Sequence, residues 1–257
     1  MSRLWPETVA VGLFPGLCWL RRRRGAAAQE FRFEAAADPY ALLPALEATL
    51  EEQAKTLRKG TRVAVTVSDS AAAIAMIPWQ DALHRQEELQ AYAKVFFERN
   101  GVAIGDDWVL HVEFRQYGAA GLAYAVPLKW LTRLVDMLKT KGLRLAGVLP
   151  ATAASYCRPR PASKEGRTLI ILREAFHDSA LVYGKEGLLG YDVEPVVGAA
   201  RESCARLLKR VGARHEGIKN VFHWSPEAPE AAPSASIIAD CLPGAAAHLL
   251  ARDAWSH

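Results

Sequence analysis

No Cys-x-x-Cys pair occurs in this chain. Its four cysteines, Cys18, Cys157, Cys204 and Cys241, lie far apart with no histidine at zinc-site spacing, so neither a zinc ribbon nor a disulfide framework is encoded. All four are expected to be reduced and structural. Seven histidines are present, but none belongs to a His-Glu-x-x-His pair, and His215-Glu216 lacks its second helical partner. A Gly-x-Ser-x-Gly elbow and a Gly-x-x-x-x-Gly-Lys-Ser/Thr loop are also missing, which removes the common hydrolase and P-loop chemistries.

Apolar runs and charge of one sign are scarce too. Val9 to Leu20 is about a dozen residues broken by Pro15 and Gly16, where a membrane span needs about 20. Its positive charges follow the apolar stretch rather than precede it, so it does not read as a secretory leader. A cytosolic chain with no membrane-spanning segment is expected. The formal net charge is only +4, much of it traceable to the run Arg21, Arg22, Arg23 and Arg24. A nucleic-acid partner is not expected, because such proteins spread Lys and Arg along a face and interleave aromatics for stacking.

What is present is a large core-forming composition and a repeat. Hydrophobic residues make up 51% of the 257 residues and charged residues 23%, values of an ordinary globular protein. One order of elements appears twice: three strands, a helix and a strand. The first copy reads as strands at 8–13, 17–22 and 29–34, a helix at 41–58 and a strand at 62–67. The second reads as strands at 168–173, 180–183 and 188–193, a helix at 197–211 and a strand at 218–223. A repeat this long suggests two similar halves facing one another.

Between the copies, Leu89, Tyr92, Ala93, Phe96 and Phe97 share one stripe and predict a helix over 80–99, stopped at Asn100-Gly101. A hairpin is predicted at 109–126, a helix beginning at Pro127, and a strand at 143–148. In the second copy Val197, Ala200, Cys204, Leu207, Leu208 and Val211 share a face. The Pro- and Ala-rich stretch 225–236 reads as an exposed loop, followed by a strand at 237–241 and a closing helix at 244–254. The expected organisation is a first lobe at 1–157 with an inserted subdomain at about 68–126, a linker at 158–166, and a second lobe at 167–257.

The duplicated order resembles the actin-like ATPase fold, a two-lobed, ribonuclease-H-like α/β architecture with mixed sheets. Val67-Ser68-Asp69-Ser70, Met76-Ile77-Pro78-Trp79 and the helix bearing Tyr92, Phe96 and Phe97 further resemble the cytoplasmic L component of type II secretion and its relative, the type IV pilus M protein. In active members of the fold, a loop in each lobe cradles phosphate with glycine N–H groups, and an Asp holds the Mg²⁺ shell.

Here Phe14 stands where that Asp would align, and Pro15 removes a backbone donor. The second loop, Arg173-Glu174-Ala175-Phe176-His177-Asp178-Ser179, has no glycine. Its Glu174 and Asp178 read as turn residues more readily than as metal ligands, and so do Ser68, Asp69 and Ser70, and the pair Asp106-Asp107. The resemblance therefore implies a noncatalytic, cofactor-free and metal-free scaffold. Its partners would be cytosolic tails of inner-membrane pilus or secretion proteins, with a motor ATPase as a further partner. The basic run Arg21 to Arg24 is the candidate interaction patch, for an acidic tail or anionic lipid. The rival reading is an active ATPase or small-molecule kinase of the same fold, which needs Glu174, Asp178 or Asp192 to face the cleft between the lobes.

Overall fold

The computed structural model describes residues 7–22, 28–36, 38–53, 57–158, 166–227 and 235–250. The first half opens with β1 (Thr8–Phe14), β2 (Leu17–Arg21) and β3 (Gln29–Arg32), then a short 3-10 turn at Pro39–Ala41, α1 (Leu42–Gln53) and β4 (Arg62–Val67). A second 3-10 turn at Asp69–Ala71 leads into β5 (Ala73–Ile77), α2 (Gln86–Arg99), β6 (Trp108–Glu113) and β7 (Gly121–Pro127). The half is completed by α3 (Leu128–Thr140), β8 (Arg144–Pro150) and α4 (Ala151–Tyr156). The second half contains β9 (Arg167–Arg173), β10 (His177–Gly184), β11 (Gly187–Pro195), α5 (Ala200–Arg214), β12 (Ile218–Trp224), α6 (Ala235–Cys241) and β13 (Ala246–Leu249).

The repeat is topological. One sheet has the order β3-β2-β1-β4-β8 and the other β11-β10-β9-β12-β13. In each, the central strand runs antiparallel to its hairpin partner and parallel to the strand after the helix. A right-handed crossover is the only connection that returns a helix onto such a parallel pair with the native twist. The inserted elements form a separate antiparallel sheet, β5-β7-β6, with α2 on one face. Its own small core gathers Ala75, Ile77, Phe97, Leu110 and Val112.

Three local readings are corrected. The helix expected over 80–99 begins only at Gln86, because Glu88 reaches back to accept from the Arg85 N–H at 3.2 Å and caps the first turn there. The helix expected from Val197 starts at Ala200, after Gly198 at φ 75°, and leaves Val197 exposed outside it. At the C-terminal end, helix and strand exchange places: residues 235–241 are helical and 246–249 extended. Ile237, Ile238 and Leu242 bury one helical face beside Leu207 and Leu208 of α5, while Ala246–Leu249 pairs in parallel with β12. The short alanine-rich segment has little β-propensity of its own, and hydrogen bonding to a sheet edge decides its state. Residues 159–165 of the expected linker, most of the loop expected at 225–236 and the end of the expected closing helix lie outside the described residues.

Candidate functional site

The site to examine is the cleft between the lobes, where the carboxyl ends of the parallel strands meet. Phe14 ends β1 and is joined to Leu17 by the two-residue turn Pro15-Gly16, with Gly16 at φ 79° as a Pro-Gly turn requires. Phe14 is buried and packs against Trp224 at the end of β12, with ring centroids 5.6 Å apart and tilted by 57°. One contiguous core therefore passes from Val11, Leu13 and Phe14 of the first lobe to Ile170, Leu172, Leu181 and Trp224 of the second. An apolar wedge occupies the place where a phosphate loop needs a carboxylate and open backbone donors. Gly12, the other glycine of this loop, serves packing instead. A Cβ there would lie 1.9 Å from the Trp19 indole, which covers the bare backbone.

Beside the wedge lies a buried ion cluster. Ser68 and Asp69 follow β4 directly, Thr152 opens α4 after β8, and Glu174, His177 and Ser179 come from the β9–β10 turn and the start of β10. Glu174 accepts from the Ser68 hydroxyl and from the Asp69 N–H at 3.0 Å. Asp69 accepts from the Thr152 N–H at 2.9 Å, from the Thr152 hydroxyl, and from the Ser179 hydroxyl at 3.2 Å. The His177 Nε2 stands 3.5 Å from Glu174 and 3.9 Å from Asp69. Burial alone would lower the proton affinity of His177, but the two carboxylates outweigh it and raise its pKa to about 10. Burial raises the pKa of Glu174, with the nearby His177 opposing the effect and the charge of Asp69 adding to it.

Asp69, Glu174 and His177 also place one ligand atom each within 4.8 Å of one another, a spacing compatible with a cation. The carboxylate oxygens accept hydrogen bonds from Ser68, Thr152, Ser179 and the Asp69 N–H, while the buried His177 Nε2 makes no hydrogen bond of its own among the described residues. Through these bonds between the end of β4, α4 and the β9–β10 turn, the cluster works as a clasp joining the lobes. A third junction is the bridge between Ala120, in the β6–β7 turn, and Leu188 at the start of β11.

Of the three carboxylates named as decisive for the rival reading, Glu174 alone faces the cleft. Asp178 is fully buried in the second lobe, where Arg173 donates to both its oxygens at 2.8 Å and the Ser203 hydroxyl adds a contact at 3.3 Å. Asp192 pairs with Arg210 and Arg214 of α5 in a more exposed network with Glu194. The expectation of simple turn residues therefore needs correction for Asp69, Glu174 and Asp178, all of them buried and partnered. Thr152 is the member sequence reasoning missed, and the place of His177 beside the two carboxylates was not foreseen. The available signal was position, since both Asp69 and Thr152 directly follow parallel strands, where ligand sites of α/β sheets gather. The proposed arginine patch also changes: Arg21 is only 3% exposed beside Trp19, Arg22 is half-buried, and Arg23 and Arg24 lie outside the described residues.

These features define a member of the actin-like ATPase fold. Several solved structures share it. The chain superposes on PilM of the PilM-PilN type IV pilus biogenesis complex with a TM-score of 0.66 at 13% identity, covering 96% of this chain and 89% of that one. A protein of unknown function with an actin-like ATPase fold from Bacteroides thetaiotaomicron gives 0.60 at 9% identity, over 95% and 90%. The cytoplasmic domain of EpsL, an inner-membrane component of the Vibrio cholerae type II secretion system, gives 0.53 at 16% identity, over 86% and 83%. No protein-family model matches the sequence, and no curated protein is significantly similar to it.

Proposed function

We propose that this chain is a noncatalytic scaffold of a type IV pilus or type II secretion-like assembly platform, working on the cytoplasmic side of the membrane. The carrying observation is the Phe14–Trp224 contact, which sets an apolar pair between the lobes at the end of the first loop. Among the described residues no helix is long and apolar enough to cross a membrane. On this reading the cytosolic tail of a membrane-anchored partner recruits the chain. The likeness to PilM, solved with PilN, and to EpsL supports this reading. On it, a first lobe at 1–157, with an insertion at about 68–126, is linked through 158–166 to a second lobe at 167–257.

A groove suited to an extended tail lies where the sheet of the first lobe meets the inserted subdomain. Ala10, Ala64 and Gly147 lie in register across three strands and leave a cavity of 430 Å³, walled by Tyr124 and Leu149 and with Arg62 at its edge. A Cβ at Gly147 meets no atom within 4 Å, so a large side chain there enters open space. Calorimetric titration with ATP and Mg²⁺ is expected to give no saturable heat, and a thermal scan no shift. Saturable binding would instead establish the rival ATPase or kinase reading. Gly147→Phe is expected to fold normally and to weaken capture of a partner's cytosolic tail at least tenfold, an estimate based on blocking the groove outright.

A further inference from the structure

The inserted subdomain displays an aromatic cluster on its surface. Trp79 follows β5, Phe114 ends β6, and Tyr117 lies in the β6–β7 turn. Phe114 meets Trp79 edge-on at 5.1 Å, and Tyr117 tilts against Trp79 at 4.9 Å. Tyr117 is nevertheless 82% exposed. Both polar handles converge on one carboxylate oxygen: the Trp79 indole N–H donates to Asp81 Oδ1 at 2.7 Å and the Tyr117 hydroxyl donates to it at 3.1 Å. The second oxygen of Asp81 accepts from no described residue. Among the described residues no cation is seated on Trp79 or Tyr117.

Holding a solvent-facing tyrosine in one orientation costs rotamer entropy that burial does not offset here. The arrangement is a pre-ordered aromatic face with a carboxylate at its hydroxyl edge. An arginine side chain is the group whose chemistry matches both parts. Its planar guanidinium stacks on the exposed ring face while its N–H donors reach the uncommitted oxygen. We infer that Trp79, Tyr117 and Asp81 form a recognition site for an arginine side chain of a partner polypeptide. The two donors, Trp79 first and Tyr117 second, lower the pKa of Asp81, and the charge of His84 acts in the same sense. The site is distinct from the groove around Gly147 and does not depend on it.

The test uses the whole chain and a capped Gly-Arg-Gly peptide, followed by the Trp79 indole N–H resonance. That signal is identified among those of the seven tryptophans by its loss in Trp79→Phe. A saturable shift is expected with the arginine peptide, a weaker one with a lysine peptide and none with a citrulline peptide. Tyr117→Ala and Asp81→Asn are each expected to weaken binding roughly threefold to tenfold without altering thermal unfolding. An equal response to citrulline would overturn the proposal, as would a response to a proline-rich peptide alone, or no shift up to the solubility limit.

Discussion

Trp224→Ala is expected to destabilise the protein by about 3–5 kcal/mol, the usual cost of emptying a buried aromatic site. Thermal unfolding should fall by roughly 6–20 °C, given about 2–4 °C per kcal/mol for a chain of this size. The effect is large because Trp224 is almost fully buried and its contact with Phe14 joins the cores of the two lobes. Phe14→Asp should destabilise by a similar amount. It buries a charge with an indole as its neighbour. Neither variant is expected to acquire nucleotide binding, because Pro15 still lacks an N–H and the second loop still lacks glycine. Calorimetry with ATP and Mg²⁺ on a Phe14→Asp protein that remains folded checks this point. A micromolar site there would show that the wedge alone had blocked the cleft.

Stability is also expected to fall as the medium becomes alkaline, through His177. Its folded pKa of about 10 lies above the ordinary value of 6.5. The native state therefore holds more protons than the unfolded chain between these limits. The stabilisation is complete below about pH 6.5 and is lost as pH rises through 10. His223 acts in the opposite direction. Burial, assisted by the charge of Arg173, lowers its pKa to about 3. Its contribution is present above about pH 6.5 and lost as pH falls toward 3. Unfolding measured from pH 4 to pH 10 should show two opposed limbs, and His177→Gln should flatten the alkaline one selectively. An alkaline limb of unchanged slope in that variant would remove His177 from the clasp.

Much of the fold was legible before any coordinates. Short continuous apolar runs place β1 and β9, the stripe Leu207, Leu208 and Val211 places α5, and the repeated order of elements gives the two-lobed plan. That the Phe14 side chain offers no carboxylate and Pro15 no backbone N–H was legible in the same way. The C-terminal exchange of helix and strand was not legible. Ile237 and Ile238 suit a strand by propensity, and only packing against α5 makes them helical. Arg21 shows the same limit, because a run of four arginines reads as a solvated patch until one of them is found inside a strand beside Trp19.

Local hydrogen bonding and apolar periodicity extend over a few residues, so the sequence by itself determined the element types, their duplicated order and the absence of a glycine-built phosphate cradle. The tertiary structure alone decided what occupies the cleft. Phe14 meets Trp224 from the far end of the chain, and Asp69 meets Glu174 across 105 residues. Whether a carboxylate is a solvated turn residue or half of a buried clasp depends on which partner the fold brings to it, because burial makes an unpaired charge costly and a paired one structural.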